Sequence, residues 1–212
     1  MIKAVFFDFD GVLTTDPNGT VTITRNLCVA IPGLALEKVQ ACYRKMRKNI
    51  EADGGSVADY WQEFCTGVGV PIMLDVLLDA MGTVPKNVPM FALAESSRDA
   101  GYGVGMITDN TCERMELLRK TMRLPELFDP IIVSAEVRAA KHDGTTKIFD
   151  LALKGAGCSA QEALFIDNKK DNLLTPEKMG MQTYWHDDTK NDVPALMQAL
   201  KKYGVEWKSM NV

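Results

Sequence analysis

Several things are scarce in these 212 residues. Histidine occurs only twice, and the five cysteines, Cys28, Cys42, Cys65, Cys112 and Cys158, are widely spaced with no Cys-x-x-Cys pair. That spacing argues against a cysteine metal cluster and against a disulfide framework. No apolar run approaches the roughly 18 residues that a membrane-crossing helix needs. There is no internal repeat and no low-complexity tract. Positive charge is not in excess either: 24 Lys+Arg stand against 28 Asp+Glu, a net charge of -4. Such a surface offers no electrostatic footprint for nucleic acid or anionic lipid, so any anionic group the chain handles must be bound locally. The opening residues reach Asp8 before a signal-peptide apolar stretch could be completed. The expectation is a soluble, cytoplasmic protein with neither nucleic acid nor membrane as partner.

What is present is globular: 46% apolar and 25% charged residues, enough for one sizeable core with a smaller attached domain. Short apolar runs recur at Ala4 to Phe7, Gly103 to Ile107, Ile131 to Val133, Ala163 to Ile166 and Gln182 to Trp185, with helical patterns between them. Near-continuous apolar runs suit strands covered on both faces, so the expected fold class is α/β: a Rossmann-like three-layer core with a parallel sheet. Ligands in such sheets sit beyond the carboxyl ends of the strands, where several of these runs turn polar.

Between the first and second runs lie about ninety residues, far more than a simple crossover requires. Helical spacing predicts helices over Leu36 to Glu51, Val57 to Phe64 and Ile72 to Met81, and another over Val88 to Ala100 ending at Gly101. The expected division is a core of residues 1–15 and 83–212 with a small helical cap domain inserted at 16–82.

The chemistry concentrates at the strand ends. In Phe7-Asp8-Phe9-Asp10-Gly11-Val12-Leu13-Thr14, Asp8 and Asp10 are two apart in an extended segment and so reach one small volume. The second run ends Thr108-Asp109-Asn110, and Asn110 with Glu113 has the spacing of a helix-capping pair. The third is followed by Lys141, with Lys147 as a competing lysine. The fourth ends Asp167-Asn168, with Asp171 one turn on.

In this order the segments resemble the motifs of the haloacid dehalogenase (HAD) superfamily, over nearly the whole chain outside the insert. The resemblance implies that Asp8 is a nucleophile toward phosphorus and Asp10 a general acid and base. It further implies that Thr108 and Lys141, with Asp109 and Asn110 beside them, bind the phosphoryl group. Asp8, Asp10 (through its carbonyl), Asp167 and Asn168 are then the expected ligands of Mg²⁺. The sequence departs from the family pattern in two places. His142 follows the lysine where proline is usual, and Asn168 replaces a second acid. Because the dehalogenase branch lacks the second aspartate, Asp10 favours phosphoryl transfer, whose leaving alkoxide needs a proton.

The implied activity is hydrolysis of a small phosphorylated metabolite by a phosphatase with an α-helical cap. A phosphomutase and a noncatalytic relative are the alternatives, and the sequence leaves substrate and oligomeric state open. Outside these motifs, the basic run Arg44-Lys45-Arg47-Lys48 reads as the wet face of a helix, and Trp61 as core.

Overall fold

The computed structural model describes residues 1–206. Its strands are β1 (Ala4–Phe7), β2 (Gly103–Thr108), β3 (Ile131–Val133), β4 (Ala163–Asp167) and β5 (Gln182–Trp185). They form a single sheet in the order β3-β2-β1-β4-β5, and every pairing is parallel. Ten helices run between and beside them among the described residues: α1 (Thr20–Ala30), α2 (Leu36–Asp53), α3 (Val57–Val68), α4 (Leu74–Gly82), α5 (Val88–Asp99), α6 (Cys112–Thr121), α7 (Ser134–Val137), α8 (Lys147–Ala156), α9 (Leu174–Met179) and α10 (Val193–Lys201). None of these helices is long and apolar enough to cross a membrane.

The continuous apolar runs are explained by burial on both faces. Side chains alternate along a strand, so Val5 and Phe7 enter one apolar layer while Ala4 and Phe6 enter the other. The first layer is completed by Met90 and Leu93 of α5, Leu118 of α6 and Leu196 of α10. The second is filled by Ile148, Phe149 and Ala152 of α8. The fold is thus a Rossmann-like α/β core, as expected from the run pattern. Chain order reverses beside β1, which has β2 on one flank and β4 on the other. That crevice is where such sheets bind ligands.

Residues 16–82 build α1 to α4 around a third apolar cluster that includes Ile23, Leu27, Val39, Tyr43, Leu77 and Met81. Helix α1 departs from the sequence reading, which placed none there. Thr20 to Thr24 are all β-branched, a composition that favours strands. Tertiary packing overrides it: Ile23 and Leu27 are fully buried on one face of α1, and Thr24 Oγ1 is absorbed by the Thr20 carbonyl at 2.7 Å. The helix expected from Ile72 begins at Leu74, and the one from Val88 ends at Asp99, just before Gly101 at φ 95°. The chain leaves and re-enters the core side by side. Thr14 bridges Lys86 in antiparallel fashion, the Thr15 N–H donates to the Pro85 carbonyl at 3.0 Å, and the Asn87 N–H donates to the Leu13 carbonyl at 2.9 Å.

Close packing between β1 and β2 requires a residue without a side chain at 105. A Cβ on Gly105 would lie 2.6 Å from a ring carbon of buried Phe6 and 3.0 Å from the Pro130 carbonyl oxygen. Gly105→Val should therefore lower stability by about 1–3 kcal/mol. The check is a fall in the urea midpoint with an unchanged slope.

Candidate active site

Asp8 is the first residue beyond β1. Its N–H donates to the Ile166 carbonyl at 2.9 Å, extending the sheet by one residue, and its Oδ1 accepts from the Phe9 N–H at 2.7 Å. The chain then makes a wide turn through Phe9–Leu13, in which Asp10 is extended and Gly11 takes φ 79°. This break from regular structure brings Asp10 back over the strand end. Thr108 closes β2 and is buried, and Asp167 closes β4 with no exposed surface.

Lys141 comes from the loop after α7. Arg138 ends that helix in the left-handed region, and the Lys141 N–H is pinned to Asp109 Oδ1 at 3.1 Å. Its ammonium group lies 2.8 Å from Asp8 Oδ1 and 2.6 Å from Asp167 Oδ2, and 1% of the residue is exposed. Asp167 is held further by the Lys169 N–H at 2.7 Å and by Asn172 Nδ2 on both oxygens, at 3.2 and 3.0 Å. Lys147 is exposed at the start of α8, so Lys141 is the lysine that meets the carboxylates.

One ammonium group serves two buried carboxylates, and the surplus negative charge has a visible effect. Burial and the facing Asp167 charge push the Asp8 carboxyl up to about 8, against the pull of Lys141. Burial works against the Lys141 charge, yet the two carboxylates outweigh it and hold the ammonium above its ordinary value.

Asp10 faces the other way, toward Arg114 of α6. The contact is bidentate, with Nη1 2.6 Å from Oδ2 and Nη2 2.9 Å from Oδ1, and Arg114 is 2% exposed. Asn110 joins them: its Nδ2 is 3.3 Å from Asp10 Oδ2 and 3.4 Å from Thr108 Oγ1, and its Oδ1 accepts from Arg114 at 3.1 Å. Burial raises the Asp10 carboxyl, but the guanidinium charge and hydrogen bonds prevail and hold it below its ordinary 3.8. Arg114 also lies beneath the entry to α1. A Cβ on Gly19, already at φ 71°, would be 2.7 Å from Arg114 Nη1.

The expected residues Asp8, Asp10, Thr108, Asp109 and Lys141 line one small pocket together with Asn18, Arg47 and Lys169. Asn168 is directed elsewhere. Its Nδ2 donates to the Pro17 carbonyl and to Asp188 Oδ2, both at 3.1 Å, while its buried Oδ1 has no hydrogen-bond partner. The expected capping role of Asn110 and Glu113 is replaced. Thr111 is the N-cap of α6 without a side-chain cap bond, and Glu113 accepts from the Val57 N–H of α3 at 2.8 Å.

Asn18 and Lys169 on the pocket wall were not singled out in the sequence, and two arginines escaped it as well. Arg114 carried one signal, an arginine beside Met115 and Leu118 on the buried stripe of α6. Arg47 sat within a basic run. Arg44, Lys45 and Lys48 are exposed, whereas Arg47 donates to the carbonyls of Asn18 at 3.0 Å and Asp109 at 3.3 Å.

Mg²⁺ prefers hard oxygen donors and retains waters, so few protein ligands suffice. Among the described residues no three His, Cys, Asp or Glu side chains converge as a ready-made cage. Two buried carboxylates short of one positive charge, with an orphaned amide oxygen on the residue following one of them, nevertheless form a donor set that fits this ion.

The parallel α/β core thus carries a carboxylate cluster beyond β1 and β4, a helical insert after β1 and a lysine returning from beyond β3. The fold is that of the HAD-like enzymes. No family model matches it. It is 26% identical over 199 residues to a glyceraldehyde 3-phosphate phosphatase of Methanothermobacter thermautotrophicus, an alignment covering 85% of this chain and 84% of the relative. It is also 26% identical over 183 residues to a sesquiterpene phosphatase of Aspergillus oryzae, covering 84% and 87%. Among solved structures, a HAD family enzyme of Bacteroides thetaiotaomicron in complex with magnesium and inorganic phosphate superposes with a TM-score of 0.68 at 18% identity, covering 87% of this chain and 94% of that one.

Arg114→Leu would strand a buried carboxylate and should cost about 3–5 kcal/mol at neutral pH, with Arg114→Lys losing less. Because the Asp10 carboxyl is lowered in the folded state, its stabilisation is present above 3.8 and lost as pH falls through the folded value. The stability gap between wild type and Arg114→Leu should therefore narrow on acidification, as read by urea unfolding at a series of pH values.

Proposed function

We propose that the chain is a Mg²⁺-dependent phosphohydrolase acting on a small phosphorylated metabolite through an aspartyl-phosphate on Asp8. The observation that carries this reading is the single lysine in contact with both Asp8 and Asp167, at the ends of adjacent strands. Both curated relatives are named as phosphatases, one of glyceraldehyde 3-phosphate and one of sesquiterpenes, which supports the same reaction class.

Asp8, the Asp10 carbonyl, Asp167 and Asn168 would hold the ion, which supplies positive charge to a phosphoryl oxygen. Phe9 N–H and Lys141 both engage Asp8 Oδ1, which leaves Oδ2 to attack phosphorus. As the Asp8–phosphorus bond forms, the bond to the leaving oxygen breaks, and Asp10 delivers a proton to that oxygen. Asp10 then takes a proton from water, whose oxygen attacks phosphorus and releases Asp8. The contact with Arg114 favours the ionised carboxylate and so suits this second half, whereas in the first half Asp10 carries its proton against that field. Thr108 and Lys141 hold the phosphoryl oxygens, with Asp109 and Asn110 framing them. Residues 16–82 act as the cap, which excludes water during attack and opens for exchange. The core comprises 1–15 and 83–212, of which 207–212 lie outside the described residues.

With Mg²⁺ and an aryl phosphate, Asp8→Asn should lose at least about a thousandfold in kcat while keeping its far-UV dichroism. Wild-type turnover in that variant removes the mechanism, and an isomeric phosphate ester in place of free phosphate would mark a phosphomutase. Mg²⁺ should raise the melting temperature of the wild type by mass action, and chelator should reverse the rise. Asp167→Asn should abolish that shift.

A further inference from the structure

A larger groove, of about 740 Å³, lies on the core beside the catalytic pocket. It runs between the loop that follows Lys141 and the segment from Lys169 into α9, so its lining comes from the core and not from the insert. Two contacts join the groove to the pocket. Lys169 is on the wall of both. His142 on the groove wall has its Nδ1 3.5 Å from Oδ2 of Asp109 on the pocket wall. The Lys169 charge also reaches both aspartates of the first motif, favouring the ionised form of Asp8 and of Asp10.

The groove reverses the charge balance of the chain. Lys169, Lys170 and Lys178 line it against one acid, Asp171, in a protein whose net charge is -4. Elsewhere surface lysines are neutralised: Lys3, Lys45, Lys120 and Lys190 each meet a carboxylate at 2.6 to 2.9 Å. Among the described residues the three groove lysines form no such ion pair. Lys170 instead stands over the Trp185 ring, 4.2 Å from its centre, which steadies the ammonium group without cancelling its charge. Unpaired charges of one sign around a concave space focus the potential inside it and attract counter-ions there.

We propose that this groove binds a second anionic group, a carboxylate or a phosphate, and that the substrate is a phosphate ester whose alcohol carries that group. The shared wall at Lys169 favours the far end of the substrate over a separate small anion as the occupant, because one molecule can then span pocket and groove. The volume lies in the usual range for small-molecule sites. This inference rests on the phosphatase reading and adds to it the class of substrate.

The test uses the full chain with saturating Mg²⁺, alkyl phosphates of increasing chain length, and the same esters ending in a carboxylate. For each length the kcat/KM of the carboxylate ester is divided by that of the plain ester, in the wild type and in a variant carrying Lys170→Gln and Lys178→Gln. Comparing the two proteins cancels differences in leaving-group basicity. Both lysines are exposed, so the fold should be kept. At the length that spans pocket and groove the variant should lose about tenfold in this ratio, since each exposed ammonium group contributes a few-fold. Hydrolysis of the plain esters should stay within about twofold. An equal loss in both series marks a general field and overturns the site. Unchanged ratios at every length overturn the substrate class. In that case succinate, added to the plain ester, decides the site itself: a shift in KM in the wild type that the variant lacks keeps it as a site for a free anion, and no shift overturns it. If the wild type hydrolyses none of the esters, the phosphatase reading falls and the substrate class with it.

Discussion

The structure turns on a shared charge. The Lys141 ammonium stands between Asp8 and Asp167, 2.8 and 2.6 Å away, in a region with almost no exposure. Much of the core serves to bring these three groups together. Adjacent parallel strands set the two aspartates side by side, and the left-handed residue at 138 turns the chain toward the lysine. Two carboxylates around one lysine are an unbalanced set. The imbalance is tolerable because Asp167 also accepts from Lys169 and Asn172, which leaves Asp8 to absorb it as a raised carboxyl. An acidic chain can thus present positive charge at one site without a basic surface, since that charge is confined to a few ångströms.

Asp10 is governed separately. Its bidentate arginine lies on the helix after β2, so the two neighbouring aspartates of the first motif experience opposite fields. One is pushed toward its neutral form and the other toward its ionised form. Asn110 links the two environments by touching both Thr108 and the Asp10–Arg114 pair.

Strands β1, β2 and β4 were legible because burial on both faces leaves an unbroken apolar run, whereas the edge strands β3 and β5 are partly exposed, and Asp8 and Asp167 were legible because each stands where such a run stops. Helix α1 was not, since a stretch such as Thr20 to Thr24 has the composition of a strand and becomes helical only through what it packs against. Arg114 and Arg47 were missed for a related reason. An arginine on a helix is usually solvated, and no local pattern announces that its carboxylate or carbonyl partner lies far off in the chain. Asn168 was legible as a position, yet its amide turns to Pro17 and Asp188, a direction set by the turn through Gly11 that packs against it.

The side-by-side neck at Thr14 and Lys86 bears on how the chain reaches this fold. Strands β1 and β2 are distant in sequence, and pairing such segments directly would require closing a long loop. The inserted helices contact one another mostly in chain order around their own cluster, and their two ends meet at the neck. Once they have assembled, the separation that β1 and β2 must bridge contracts to the width of that neck. The insert therefore adds length to the chain while adding little to the effective contact order of the sheet.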